Sequence, residues 1–521
     1  MKNKFLFFLV TFIALVLVAC SGGEDGTTSG DSGNETGDGA SQEAKILTIA
    51  QPNDLETMDP QAVSATSSDR IFKNMYSYMF YWDENVELQQ DLVVDYEQID
   101  DETWRFEIRD DVEFHNGDPL TAEDIKFTLE RVMTDSSLKQ FLYFKQLKEV
   151  NVIDDYEIEI VTDGIMTTLL TLLAKSGAEI LPKNYIEEVG IEEFQNNPVG
   201  SGPYKYVEWQ KDSHVTLERN DNYYDGTPKW DEVTFKAIPE SSTRVGELIN
   251  GGVDIITDVP LNERERLEAD ADTKSIPGET TRVMLLIVRM TEGTVTADPK
   301  VREAIELAID NKSIAESLYE GEAVPVRTRV PNKVFGSDPD LYDNYIYDPD
   351  RAKELLKEAG YEDGVEITLT ASKGRYPFDG EVAEMIAAML GEVGIVANLE
   401  LLDGTAFSDV YANGTNEELL MIALADGLLD GSYSLTHYTK DRAEGQTDFY
   451  HEEAEELYWT AISNPDDEER AAQYRAIQQI AAEERPHIFL LQLPVNYGVR
   501  ANVEFNPQIY EYFFVDDIDK N

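Results

Sequence analysis

Of 521 residues, 103 are acidic, 43 are basic, five are histidine and one is cysteine, so carboxylates are the only chemically versatile groups in abundance. A carboxylate can move a proton, ligate a metal or hold a bound cation, and its setting decides which. The rest of the inventory is poor in catalysts. The chain contains neither His-Glu-x-x-His nor Gly-x-Ser-x-Gly. His115, His214, His437, His451 and His487 stand singly, without metal-ligand spacing, so neither a metal nor a cofactor is expected. Acidic pairs are too common for a catalytic pair to stand out, and most read as solvated faces. No enzyme activity is expected.

The elements that would position any site alternate between strand and helix. Ile46 to Ala50 reads as a strand, and a helix is predicted with Ser68 or Asp69 as its N-cap and Phe72, Met75, Tyr76 and Met79 on one face. Trp104, Phe106 and Ile108 alternate with Arg105, Glu107 and Arg109, the pattern of a half-buried strand. Thr121 to Asp124 has the form of a capping box ahead of Ile125, Leu129, Val132 and Met133. Asp298-Pro299 and Asp348-Pro349 each read as N-cap and first residue of a helix. Val365 to Thr370, Glu381 to Glu392 and Ile395 to Leu401 form a βαβ unit, which implies a parallel pair. A helix from Asp466 to Arg485 stops at Pro486, and Ile488 to Leu491 follows as a buried strand. No internal repeat is evident, and the fold class is α/β.

The N-terminal segment stands apart. Lys2 and Lys4 precede an apolar run from Phe5 to Ala19, too short for a comfortable permanent span, and it reads as an export signal, residues 1–19. Leu17-Val18-Ala19-Cys20 resembles the lipobox of bacterial lipoproteins, which implies lipidation of Cys20 and anchoring at the outer face of the cell membrane. Residues 20–44, rich in Gly, Ser, Thr, Asp and Glu, have too little to bury and read as a disordered tether. The net charge of −60 excludes nucleic-acid binding by counterion release. The remaining length exceeds what one core usually supports, so at least two lobes are expected.

The run from Thr103 to Asp124, with His115-Asn116-Gly117-Asp118 at its turn, closely resembles a signature of the ABC-importer solute-binding proteins for peptides and nickel. Further blocks agree in the same order: Pro198 to Tyr204, Leu217 to Asn220 with Tyr223-Tyr224, Gly251 to Ile255, Val301 to Ile305, and Glu358 to Tyr361. The resemblance covers the chain from Ile46 to about its end. It implies a two-lobe cleft fold with an extra subdomain and a hinge, a monomer that hands its ligand to the importer permease. The first lobe would comprise 45–80, 195–285 and 496–521, its subdomain 81–194, and the second lobe 286–495. His115 would be a turn residue outside the pocket.

In peptide-binding members an aspartate receives the ligand ammonium, in a block of the form Trp-x-Ala-Asp-Tyr-x-Asp-Pro. Here the block reads Leu424-Ala425-Asp426-Gly427-Leu428-Leu429-Asp430-Gly431-Ser432-Tyr433, without its Trp and Pro. Two registers are open, Asp426 or Asp430, and Asp430 is favoured because Asp430 to Tyr433 resembles the glutathione- and peptide-binding branch, with Tyr433 lining the pocket. Arg375, on the loop after strand 365–370, is the candidate for the ligand carboxylate, and Ser67, ahead of the first helix where free N–H groups could hold an anionic group, is a weaker one. A short peptide is the expected ligand; nickel or a nickel chelate, or a chaperone role without a small ligand, are the competing readings.

Overall fold

The computed structural model describes residues 44–521, which make one compact unit. Cys20 and nearly all of the expected tether lie outside the described residues. Strand β1 (Ile46–Gln51) begins where apolar side chains first recur, and Leu47 and Ile49 are fully buried. The first helix, Thr66–Met75, starts before the expected cap: Ala65 is its extended N-cap, and Ser67 and Ser68 already sit in the first turn. Packing rather than capping chemistry fixed this end, since Ser68 is fully buried and its hydroxyl has no partner.

The segment that follows has its own core. A hairpin of β2 (Phe80–Trp82) and β3 (Leu88–Gln90) precedes an antiparallel sheet of β4 (Val93–Gln98), β5 (Thr103–Ile108), β6 (Leu147–Asp154) and β7 (Glu157–Thr162), in the order β4-β5-β7-β6. Phe106 and Ile108 point inward from β5, as the alternation predicts. Helix Ala122–Thr134 carries the predicted capping box, with both reciprocal bonds between Thr121 and Asp124. It lays Ile125, Leu129 and Val132 on Phe106, Ile158 and Ile160. Leu428, far along the chain, joins the same cluster.

Ten further strands share one sheet with β1. They are β8 (Tyr204–Gln210), β9 (His214–Arg219), β10 (Glu232–Ala237), β11 (Ile255–Ile256), β12 (Thr273–Val288), β13 (Val324–Pro325), β14 (Val365–Ser372), β15 (Ile395–Leu402), β16 (Leu419–Leu424) and β17 (His487–Arg500). The order is β15-β14-β16-β12-β17-β11-β1-β10-β9-β8, with β13 on β17. The βαβ expectation holds, with β14 and β15 parallel around helix Asp379–Val393. Asp298 and Asp348 cap their helices through the main-chain N–H groups of Lys300 and Arg351, each with proline in the first turn.

Strands β12 and β17 are much longer than their apolar runs suggest, and they join the two halves. Thr273 to Glu279 pairs with Pro494 to Arg500, beside β11 and the cluster around Leu47, Tyr497 and Val499. Val283 to Ile287 pairs with His487 to Gln492, beside β16 and the cluster around Leu286, Ile305 and Leu369. Between these stretches the register breaks, from Glu279 to Val283. There Thr280 donates its hydroxyl to Leu493 O at 2.7 Å, and Gln492 Nε2 donates to Thr280 O at 2.7 Å. The register shifts once more between Met284 and Leu285, and a ladder interrupted in this way is a natural bending place.

Gly200-Ser201-Gly202-Pro203-Tyr204 reads in sequence as a turn that glycine backbone makes easily. Gly200 and Gly202 serve a close approach instead: a Cβ on Gly200 would stand 2.0 Å from Met75 O, and one on Gly202 2.6 Å from Met75 C. The end of helix Thr66–Met75 therefore rests directly on this segment, with Gly202 N–H donating to Met75 O at 2.9 Å. His115 ties its own turn to the same place. Its Nδ1 accepts from Gly200 N–H at 3.2 Å and its Nε2 faces Gly202 O at 3.0 Å.

Candidate functional site

After β16 the chain turns through Ala425 to Asp430 into a short helix, Gly431–Leu435. Asp426 hangs from the break in β12. Its N–H donates to Thr281 Oγ1 at 3.1 Å, and Thr281 returns its hydroxyl to Asp426 O at 3.0 Å. The carboxylate is 3 % exposed and accepts only from neutral donors, Leu428 N–H at 3.1 Å and the Ser434 hydroxyl at 2.7 Å. Burial pushes its pKa up to about 6, Asp430 adds to the rise, and Arg329 works against it.

Asp430, equally buried, is occupied. One oxygen caps the short helix by accepting from Ser432 N–H at 2.9 Å, and the other pairs with Arg470 Nη1 at 2.9 Å. Arg470 lies over the Phe335 ring and reaches Asp467 with its other nitrogen. The departure at residue 431 has a local reason. Gly431 N–H donates to Phe335 O at 2.9 Å, a bond that proline could not make.

Tyr433 stacks on Tyr143 of the first core's segment, ring centroids 5.4 Å apart, with the hydroxyls at 2.9 Å. Arg375 is exposed on its loop, bonded to the Tyr376 hydroxyl and to Ser408 Oγ, both at 3.0 Å. Asp379 fixes that loop by accepting from the main-chain N–H groups of Gly374 and Arg375. Ser67 is buried, and its carbonyl accepts from Gln51 Nε2 at 3.2 Å.

The fold adds charges that spacing could not reveal. Lys73, on the first helix, donates to Ala174 O at 2.9 Å and lies 3.4 Å from the Tyr78 ring centroid. Glu179 accepts from the Tyr78 hydroxyl at 2.6 Å, and burial raises its pKa while lowering that of Lys73. Lys175 donates to Gln140 Oε1 at 2.7 Å, sits 4.1 Å from the Tyr143 ring centroid, and is pushed down to about 8 by burial. The available signal was a lysine inside an apolar stretch, as in Ile71-Phe72-Lys73 and Leu172-Leu173-Ala174-Lys175. His437 and His487, read as isolated, lie with ring centroids 6.0 Å apart, and burial holds both neutral, His487 at about 3.

A groove of about 880 Å³ on the sheet of the first core, beside Tyr96, Arg105 and Arg109, includes none of these groups. The convergence of Asp426, Tyr433, Tyr143 and Lys175 from segments far apart in sequence is the better candidate.

The comparisons with known proteins agree with this architecture. The profile described as bacterial extracellular solute-binding proteins, family 5 middle, matches residues 87–446. The glutathione-binding protein GsiB of Salmonella typhi is 25 % identical over 460 residues, 86 % of this chain and 89 % of that protein. The periplasmic binding protein DppA of Helicobacter pylori, solved with the peptide STSA, has a TM-score of 0.78 at 25 % identity, covering 91 % of this chain and 97 % of that one. CtaP of Listeria monocytogenes, an ABC transporter substrate-binding protein, has a TM-score of 0.83 at 20 % identity, covering 92 % and 100 %.

Proposed function

Because the chain belongs to family 5 of the bacterial extracellular solute-binding proteins of ABC importers, we propose that it captures a short peptide or glutathione-like solute between its lobes and delivers it to the importer permease. The observation that carries this reading is Asp426, a buried carboxylate at the bending place of the long strands, whose acceptor sites meet only neutral donors. A ligand ammonium would supply the missing opposite charge. Asp430 does not suit that role, since Arg470 already neutralises it. The ammonium partner therefore lies four residues before the favoured register.

Tyr433 forms a wall of the site, and Arg375, exposed and free of ion pairs among the described residues, is the candidate for the ligand's far carboxylate. Ser67 keeps no role in this proposal, because it lies buried inside the first turn of its helix and not ahead of it. Relatives named for peptide and glutathione binding support the ligand class. The deciding experiment is mass spectrometry of whatever is released when the purified protein is denatured, with metal analysis on the same sample. Released peptide supports the proposal; stoichiometric nickel, or no small molecule together with no peptide binding on titration, removes it.

The expected lipid anchor belongs to the same proposal. Cys20 would hold the protein at the outer face of the membrane, and no described helix is long and apolar enough to cross a bilayer. Detergent-phase partitioning of wild type against Cys20→Ala tests it, and identical partitioning would count against lipidation. The protein is proposed to bind peptides and leave them intact, which incubation with a peptide mixture checks.

A further inference from the structure

The hairpin of β2 and β3 belongs to two cores at once. Phe80 is buried in the cluster around Phe106, and Trp82 and Leu88 pack on it. The tip leaves that cluster. Val86 packs on another one, around Leu285, Val334 and Phe489, and so does the second face of Trp82. That cluster is built almost wholly from the half of the chain that begins at β12. Tyr510, packed on the same second cluster, brings its hydroxyl to Trp82 O at 3.1 Å and Asp83 O at 3.2 Å. In the opposite direction Leu428, from the loop after β16, enters the cluster around Phe106. Each half therefore places an apolar side chain in the core of the other.

The tip is strained in a way that its own turn does not require. Val86 has a φ of 62° and is the one β-branched residue among the eleven described non-glycine positions with positive φ. The branched Cβ makes this region costly, and a three-residue hairpin loop ordinarily places glycine there. The loop is otherwise well made. Asp83 N–H donates to Glu87 O and Val86 N–H to Asp83 O, both at 3.0 Å, while Asp83 Oδ1 accepts from Asn85 and Glu87 N–H at 2.9 Å. What valine supplies and glycine lacks is a side chain, and that side chain meets the far cluster. Strain of this kind persists only where the surroundings over-determine it. We propose that the hairpin is a strap across the cleft: Val86 is held in its strained conformation because its side chain ties the first core's segment to the second lobe, and the lobes part only when this tip lifts. The strap depends on the two-lobe fold and not on which solute is bound.

Double electron–electron resonance on the ligand-free full chain tests this, with spin labels at Lys148→Cys on β6 and Lys353→Cys on helix Pro349–Glu358, both exposed, in a Cys20→Ser background. Val86→Gly removes the strain and the contact together. It is expected to melt at or above the wild-type temperature while the population at longer distances grows at least about threefold. Val86→Ala keeps the strained backbone and trims the contact, so it should open similarly and melt below Val86→Gly. Unchanged distances in both variants overturn the strap, because the valine would then serve only its own hairpin. A Val86→Gly protein that melts below Val86→Ala overturns it as well, because the positive φ would then carry no strain for the contact to offset.

Discussion

Asp426 and Asp430 share a loop and a degree of burial but differ in electrostatic state, and single substitutions should separate them. Asp430→Ala leaves the Arg470 guanidinium, in a side chain 8 % exposed, without its buried partner. A loss of roughly 3–5 kcal/mol in folding stability is expected by denaturant titration. Asp426→Asn should do the reverse. Its folded-state pKa, about 6, lies above the ordinary 3.8, so the stability tied to its protonated form is fully present below about pH 4 and lost as pH rises through 6. At pH 7 the ligand-free Asn variant should therefore be more stable than wild type, by on the order of 1–3 kcal/mol. Peptide affinity should nonetheless fall by on the order of 2–5 kcal/mol. If, as proposed, the ionised carboxylate receives the ligand ammonium, wild-type affinity should also weaken steadily below pH 6. A pH-independent affinity between 4 and 7 would remove Asp426 from the site.

At the scale of elements, two contacts hold the binding surfaces where they are. The break in β12 suspends the Asp426 loop through Thr281, and Thr281→Val deletes both hydrogen bonds while preserving shape. Ligand affinity should drop about tenfold or more with little change in the far-ultraviolet spectrum; an unchanged affinity would show that the loop is held elsewhere. The second contact seats helix Thr66–Met75 on Gly200 and Gly202. Gly200→Ala forces backbone apart, with an expected cost of about 1–3 kcal/mol. His115 braces the same joint in its neutral form, its pKa lowered by burial to about 4 from the ordinary 6.5. Its contribution is therefore complete above pH 6.5 and lost as pH falls through 4. His115→Asn should flatten the acid limb of a stability profile, and an acid limb unchanged by the substitution would rule out this brace.

Across the whole molecule, charge dominates. A net charge of −60 makes the folded chain repel itself, and salt screens that repulsion, the Debye length falling from about 30 Å at 0.01 M to about 8 Å at 0.15 M. The melting temperature should therefore climb over that range, and a flat response would mean that local ion pairs already balance the surface. Ligand adds a second stabilisation. At about 100 times its dissociation constant it should contribute about 2.7 kcal/mol, read as a thermal shift. Asp426→Asn should lack that shift, whereas Asp430→Ala should keep it on a lower baseline.

What the sequence determined by itself is what depends on neighbours along the chain. The capping box at Thr121 and Asp124, the aspartate-proline helix starts and the β14–β15 unit are set by bonds or side-chain periods spanning a few residues. The long ordered blocks around Thr103 to Asp124 likewise carried the family. The choice between Asp426 and Asp430 was different, because both are acids in one loop and only the arrival of Arg470, forty positions later, neutralises one of them. The length of β12 and β17 was hidden for a similar reason: their polar stretches, such as Thr273 to Glu279, are strand only because a partner strand completes the ladder. Lys175 came to Tyr143 and Gly427 through tertiary packing alone. Charge pairing and strand pairing act through space, so residues distant in the chain decided which of the two aspartates carries an ion pair.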